Sequence, residues 1–211
     1  MPGRDTGAPV TTDTLLLASF VSVPPGSTVV ELGCGSGGVI EAASGGNPGC
    51  RWIGIDARTP PLRVMMRSLE GRRAVDEVHC VCCNVEDVPM AFAGAVADAV
   101  ITNPPFGTLG RGKVSPDGDR ALSRSGSDML LHHFIRAAAH LLLPGGEFIV
   151  VGRPCMLPDM LLGCSTWGLG PVRLQPVGLR DRPAAHVLLS CVKGSCAGLV
   201  IEPQRDSKEL T

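Results

Sequence analysis

The sequence predicts an α/β fold: an open, mostly parallel sheet with helices on both faces. Three observations carry the prediction. Short apolar runs rich in Val and Ile alternate with stretches of helical period. A glycine-rich turn joins the first such run to a helix. Several polar residues also fall just past the carboxyl ends of the runs, where open parallel sheets bind ligands. At 211 residues and a formal net charge of -1, the chain suits one domain with a sizeable core. No overall field draws it to nucleic acid or to an anionic membrane, so any such binding rests on a local patch. The expected layout is a flexible segment over 1–12, the domain over 13–203 and a flexible tail over 204–211.

In chain order, Leu15, Leu16, Leu17, Phe20 and Val21 crowd on a helical period between Asp13 and Val23. Thr12 or Asp13 is suited to cap that helix, and Pro24-Pro25-Gly26 ends it. Thr28 to Leu32 is the first strand, leading into Glu31-Leu32-Gly33-Cys34-Gly35-Ser36-Gly37-Gly38. Glycines there permit a tight turn and close approach of a ligand, and the helix from about Val39 to Ser44 aims its N-terminal amides at it. Trp52 to Ile55 forms the second strand, and Asp56 at its end is placed to accept hydrogen bonds from both hydroxyls of a ribose. Pro60 and Pro61 open a helix that Leu62 to Leu69 continues. Val78 to Cys83 is the third strand; a polar residue at its exit, Asn84, suits the edge of a cofactor adenine. Asp98 to Thr102 is the fourth, ending at Asn103.

Beyond it, Gly107 to Ser127 reads as a long polar loop carrying Arg111, Lys113, Arg120 and Arg124. Loops of that length serve as lids or binding segments, and these cations suit phosphates. Met129 to Leu143 is an amphipathic helix stopped by Pro144-Gly145-Gly146, and Phe148 to Val151 is the fifth strand. Leu157 to Trp167 is helical in pattern. Val172 to Val177 and His186 to Val192 form a closing strand pair, followed by a short strand at Leu199 to Ile201.

Two motifs carry chemistry. In Asn103-Pro104-Pro105-Phe106 the prolines lack an N–H and hold the backbone extended, leaving carbonyl oxygens unpaired. One such oxygen and the Asn103 amide can accept both hydrogens of a planar exocyclic amine while Phe106 stacks on its ring. Such a grip fits adenine, cytosine, guanine or a side-chain amide. The glycine turn admits two readings: a dinucleotide site, satisfied by Gly33, Gly35, Gly38 and Asp56, or an S-adenosylmethionine site in which Glu31 faces the cationic amino-acid end. The amine clamp decides between them, because hydride transfer has no use for it and methyl transfer to an amine requires it.

Nine cysteines are scattered through the chain. Cys80 and Cys82 alternate with Cys83 across a strand, no second Cys/His pair stands at zinc spacing, and no metal is expected. His132, His133 and His140 read as packing or surface residues. No apolar run reaches a bilayer-spanning length and no secretory pattern opens the chain, so the expectation is a cytoplasmic protein without membrane contact.

With these residues in hand, the chain resembles the class I S-adenosylmethionine-dependent methyltransferases. It most resembles the bacterial family that methylates N6 of adenine in a valine tRNA. The resemblance runs through the Asp13 helix, the Glu31 glycine loop, the Asn-Pro-Pro-Phe segment and the Ser115-Pro116-Asp117 loop with Arg120 and Arg124. It continues through Leu143-Pro144-Gly145-Gly146, Arg182, Val187-Leu188-Leu189 and Lys193-Gly194 to Leu199 and Pro203. Met65-Met66-Arg67-Ser68 departs from the family's usual Ala-x-x-Asn, and Asn84 stands where Asp is usual. The resemblance implies a Rossmann-like fold, α/β, with a seven-stranded mostly parallel sheet and an antiparallel C-terminal strand. It implies that Glu31, Gly33, Cys34, Gly35 and Gly37 hold the methionine end of S-adenosylmethionine, Asp56 its ribose and Asn84 its adenine. Asn103, Pro104, Pro105 and Phe106 then form the catalytic segment, and Arg111, Lys113, Arg120, Arg124 and Arg182 meet an RNA, with tRNA favoured. A protein glutamine amide, guanine in ribosomal RNA, DNA adenine and a non-catalytic cofactor-binding role remain as alternatives.

Overall fold

A computed structural model describes residues 11–69, 77–105 and 119–210, with backbone alone over 119–128 and at 210. The first helix, α1 (Thr12–Phe20), is capped by Thr11, whose hydroxyl accepts the Thr14 N–H at 3.2 Å. The cap lies one residue before the expected position because Thr11 itself is extended while Thr12 is already helical. There follow β1 (Thr28–Leu32), α2 (Gly38–Ser44), β2 (Arg51–Asp56), α3 (Thr59–Leu69) and β3 (Glu77–Cys82). A 3-10 turn at Val85–Asp87 leads into α4 (Val88–Ala91) and β4 (Ala97–Thr102). The second half holds α5 (Asp119–Leu141), β5 (Leu142–Gly152), α6 (Leu157–Thr166), β6 (Leu169–Gly178) and β7 (His186–Lys193). Two short strands, β8 (Val200–Ile201) and β9 (Arg205–Asp206), close the chain with a 3-10 turn at Ser207–Leu210.

The strands form one sheet in the order β3-β2-β1-β4-β5-β7-β6-β8, with β9 also on β6. From β3 to β5 all pairings are parallel, and β7 runs antiparallel between β5 and β6. That is the expected architecture, to which β8 and β9 add two parallel edge pairings. Arg205–Asp206, expected in a flexible tail, is thus tied to the sheet.

Successive strand residues enter opposite cores, which is why the strands read as unbroken apolar runs. Val30, Val100 and Phe148 pack on one face with Phe134 and Ile135 of α5. Their neighbours Val29, Ile101 and Ile149 pack on the other with Leu16, Leu17, Trp52 and Met65. Cys80 packs on this second face and Cys83 on the first, as strand alternation requires. All nine cysteines are free thiols.

Two boundaries differ from expectation. Residues 119–127 belong to α5 rather than to a loop: no proline interrupts the chain between 117 and 143, and the single Gly126 costs a long helix only about 1 kcal/mol. Arg120 and Arg124 therefore sit on helical backbone. In addition, β5 begins at Leu142, and Pro144-Gly145-Gly146 is not a terminator but an interruption inside the strand. Ala97 pairs with Leu142 and Ala99 with Glu147, so the extra residues bulge out at Gly145, whose φ is +79°.

Candidate active site

Strand order reverses between β1 and β4, and the elements leaving those two carboxyl ends build the site. Leu32 pairs with Thr102, so Gly33 and Asn103 each stand one residue beyond a paired position on neighbouring strands. The Thr102 hydroxyl donates to the Leu32 carbonyl at 2.9 Å and locks this register.

The glycine turn is made by Gly33, Gly35 and Gly37, with φ of +72°, +53° and +82°, a region that L side chains avoid. Amides of Gly33 and Cys34 both donate to the Ile55 carbonyl, at 2.7 and 3.1 Å, and tie the turn to β2. The Gly35 amide donates to Oδ2 of Asp56 at 2.9 Å. Asp56 Oδ1 accepts from the Arg58 amide at 2.9 Å and from its Nε at 3.3 Å. Asp56 is thus held in place by its neighbours while still lining the cleft.

The cleft is about 340 Å³. Of the residues expected from the sequence, Gly33, Asp56, Asn84, Asn103 and Pro105 line it together. Asn84 and Asn103 both line the cleft, and their side chains make no hydrogen bond to another described residue. Leu130 and Phe134 of α5, with Ile55, Cys83 and Val85, give it apolar walls. Phe134 lies so near the turn that a Cβ on Gly33 would stand 3.2 Å from its ring.

Other expected residues lie elsewhere. Glu31 is buried beneath the turn, 2 % exposed, and its carboxyl group accepts the Ile40 N–H in the first turn of α2. Its Oε2 has no hydrogen-bond partner among the described residues. Burial, reinforced by the negative charge of Asp56, raises this carboxyl to about 8 against the partial relief of the Ile40 amide. Cys34 contributes backbone to the turn while its side chain packs into the core beside Met65 and Gly54, and burial pushes its thiol well up. Pro104 is buried and Pro105 exposed. Arg182 is not in the cleft: it lines a separate concavity of about 370 Å³ with Arg180, Gln204 and Arg205. Phe106, Arg111 and Lys113 lie outside the described residues, as do the side chains of Arg120 and Arg124.

Sequence reasoning missed Arg58, Cys83, Val85, Leu130 and Phe134 as cleft residues. For Leu130 and Phe134 a signal existed, since residues four apart share a helix face. Nothing distinguished that face from ordinary core. Among the described residues no group of three metal-ligating side chains occurs, and no helix is long and apolar enough to cross a membrane.

Residues 9–162 match the methyltransferase small domain. The chain belongs to that family. It is similar to proteins named tRNA1(Val) (adenine(37)-N6)-methyltransferase from two bacteria. It is 26 % identical to that of Aeromonas hydrophila over 88 % of this chain and 77 % of the relative. It is 21 % identical to that of Shewanella halifaxensis over 67 % of this chain. Only 56 % of the Shewanella protein is spanned. Among solved structures, a predicted O-methyltransferase from Agrobacterium tumefaciens superposes with a TM-score of 0.72 at 20 % identity, over 92 % of this chain and 85 % of that one. Family and fold are those the sequence resemblance implied.

Proposed function

We propose that this protein transfers a methyl group from S-adenosylmethionine to an exocyclic amine, and that the amine is N6 of adenine in a tRNA. The observation that carries the reading is the pairing of Leu32 with Thr102. It brings Gly33 and Asn103 side by side at about one strand spacing of 5 Å, which supports a cofactor cradle next to an amine-accepting segment.

The residues fit the cofactor. Glu31 holds a buried oxygen without a partner, which a cationic amino group satisfies. The glycines leave room where a Cβ would intrude, and Asp56 keeps acceptor capacity for ribose hydroxyls once the exposed Arg58 side chain moves aside. Asn84 offers its amide to an adenine edge. When bound, S-adenosylmethionine supplies an electrophilic methyl on sulfur. The protein's part is alignment. Asn103 and the Pro104 carbonyl accept the two amine hydrogens, turning the nitrogen lone pair out of conjugation and toward that methyl. Apolar walls from Leu130, Phe134 and Val85 exclude water. Positioning of this kind is worth several powers of ten in rate. A base must leave its stack to reach such a cleft, which an unpaired anticodon-loop nucleotide does at little cost.

The names of the Aeromonas and Shewanella relatives support adenine N6 in tRNA as the target. Incubation with labelled cofactor and, separately, bulk tRNA, ribosomal RNA, DNA and release factors tests the reading. N6-methyladenosine in tRNA digests is expected. Label confined to a protein glutamine or to DNA overturns the RNA assignment, and label in no acceptor overturns catalysis.

A further inference from the structure

Three polar side chains outside the cleft meet at the same end of the sheet as the cleft, beside the interior strands β5 and β7. Arg153 follows the last residue of β5, His186 opens β7, and Asp13 lies in the first turn of α1. Nη1 of Arg153 is 2.6 Å from Nε2 of His186 and 3.4 Å from the Ala185 carbonyl. Its Nη2 is 3.6 Å from Asp13 Oδ2. Asp13 Oδ1 stands 2.8 Å from that same Nε2.

One nitrogen cannot serve both neighbours. A guanidinium only donates, so its bond requires Nε2 to be a bare acceptor, and the carboxylate then faces a lone pair. If Nε2 carries the proton and donates to Asp13, it meets the N–H of Arg153 instead. The conflict leaves traces: Asp13 Oδ1 and His186 Nδ1 are both buried without a hydrogen-bond partner among the described residues. Arg153, with its side chain 49 % exposed, is the member of the trio able to turn to another partner.

Its position gives that partner. Thr102 pairs with Val150, and Gly152 with Val187. Three residues past Thr102 is Pro105; three past Val150 is Arg153, flanked in turn by His186. The acceptor segment therefore has the glycine cradle on its β1 side and Arg153 on its β5 side. With the cofactor in the first, the second offers the rest of a nucleotide whose base reaches Asn103 a place to lie.

We infer that Arg153 binds a backbone phosphate of the RNA whose base is presented at Asn103, with Asp13 and His186 holding the guanidinium until the phosphate takes it. This rests on the RNA reading above. Guanidinium and phosphate match as a charge-assisted, two-pronged pair. Once Arg153 turns away, His186 Nε2 is free to donate to Asp13 Oδ1, and the buried oxygen gains its partner.

The test uses the full chain, an RNA that it methylates, and the variants Arg153→Gln and Asp13→Asn. Arg153→Gln is expected to raise KM for RNA about tenfold or more. It should change kcat and cofactor affinity little, and lower the slope of log affinity against log salt by about one. Asp13→Asn, which removes the competing carboxylate charge, is expected to bind RNA at least as tightly as wild type. An Arg153→Gln enzyme with wild-type KM and salt slope overturns the inference. So does an Asp13→Asn enzyme with weakened RNA binding, the result if the trio only braces the fold, and this second readout stands even where Arg153→Gln fails to fold. If wild type methylates no RNA, the RNA reading falls and this inference with it; if wild type does and the variants behave as it does, only this inference falls.

Discussion

The Thr102 hydroxyl donates to the Leu32 carbonyl at 2.9 Å, across a separation of 70 residues in the chain. Both residues are fully buried, and each immediately precedes a cleft-lining residue, Asn103 or Gly33. Thr102→Val keeps shape and removes the donor, leaving a buried carbonyl short of a partner at a cost of about 1–3 kcal/mol. The expected result is a lowered Tm together with a loss in kcat, because cradle and clamp are no longer held in register. A variant that is destabilised yet turns over at the wild-type rate would show that the bond serves stability alone.

Asn103 should separate binding from chemistry. Its side chain has no partner among the described residues, and it lines the cleft at the end of β4, across from Asp56 and Asn84, the residues proposed to hold the cofactor. Asn103→Ala is expected to leave cofactor affinity close to wild type while cutting turnover by about a hundredfold or more, as befits loss of a positioning contact. Calorimetric titration with S-adenosylhomocysteine beside single-turnover methylation measures both. Wild-type turnover would remove the amine clamp from the mechanism.

Two glycines around α2 make a controlled pair. At Gly37, φ is +82° and a Cβ would stand 2.5 Å from Met65 Cγ. Gly37→Ala thus adds a backbone penalty of about 1–2 kcal/mol to a clash inside the turn, and weak cofactor binding is expected with a lowered Tm. Gly45, at φ -61° and ψ -31° with nothing within 4 Å, already has helical backbone in open space. Gly45→Ala is expected to be neutral or to stabilise by about 0.4–1 kcal/mol. Thermal melts of the two variants check the contrast.

How much was legible follows from how local each signal is. The first four strands, the glycine turn and the positions of Asp56, Asn84 and Asn103 could be read because each is set by a few neighbouring residues and by a general rule about strand ends. The start of α5 was not, since Gly126 and a polar composition imitate a loop while backbone continuity from Asp119 wins. The Pro144-Gly145-Gly146 bulge was missed for a similar reason: the partner that absorbs it, Ala97 to Ala99, is distant in sequence. Leu130 and Phe134 look like core, and they are core on one side; only the sheet's other elements reveal that their remaining side faces the cleft. Arg182 carried a motif signal that says nothing of distance, and it lines a separate concavity.

The proposed place of Glu31 at the methionine end of the cofactor makes cofactor binding depend on pH. Burial lifts its carboxyl from an ordinary 4.5 to about 8, so the folded chain without cofactor holds a proton there at neutral pH while the unfolded chain does not. A raised folded value means this contribution to stability is complete below pH 4.5 and lost as pH climbs toward 8. An ammonium placed against Oε2 favours the ionised form, so S-adenosylmethionine binding should release a proton within that window, and affinity should strengthen as pH rises from about 6 toward 8. Titration calorimetry in two buffers of differing ionisation enthalpy counts the proton. Glu31→Gln is expected to abolish the release, flatten the fall of Tm with pH and weaken cofactor binding about tenfold, the order expected for losing one charge-assisted hydrogen bond. Undiminished proton release in Glu31→Gln would place the titrating group elsewhere and detach Glu31 from the methionine end of the cofactor.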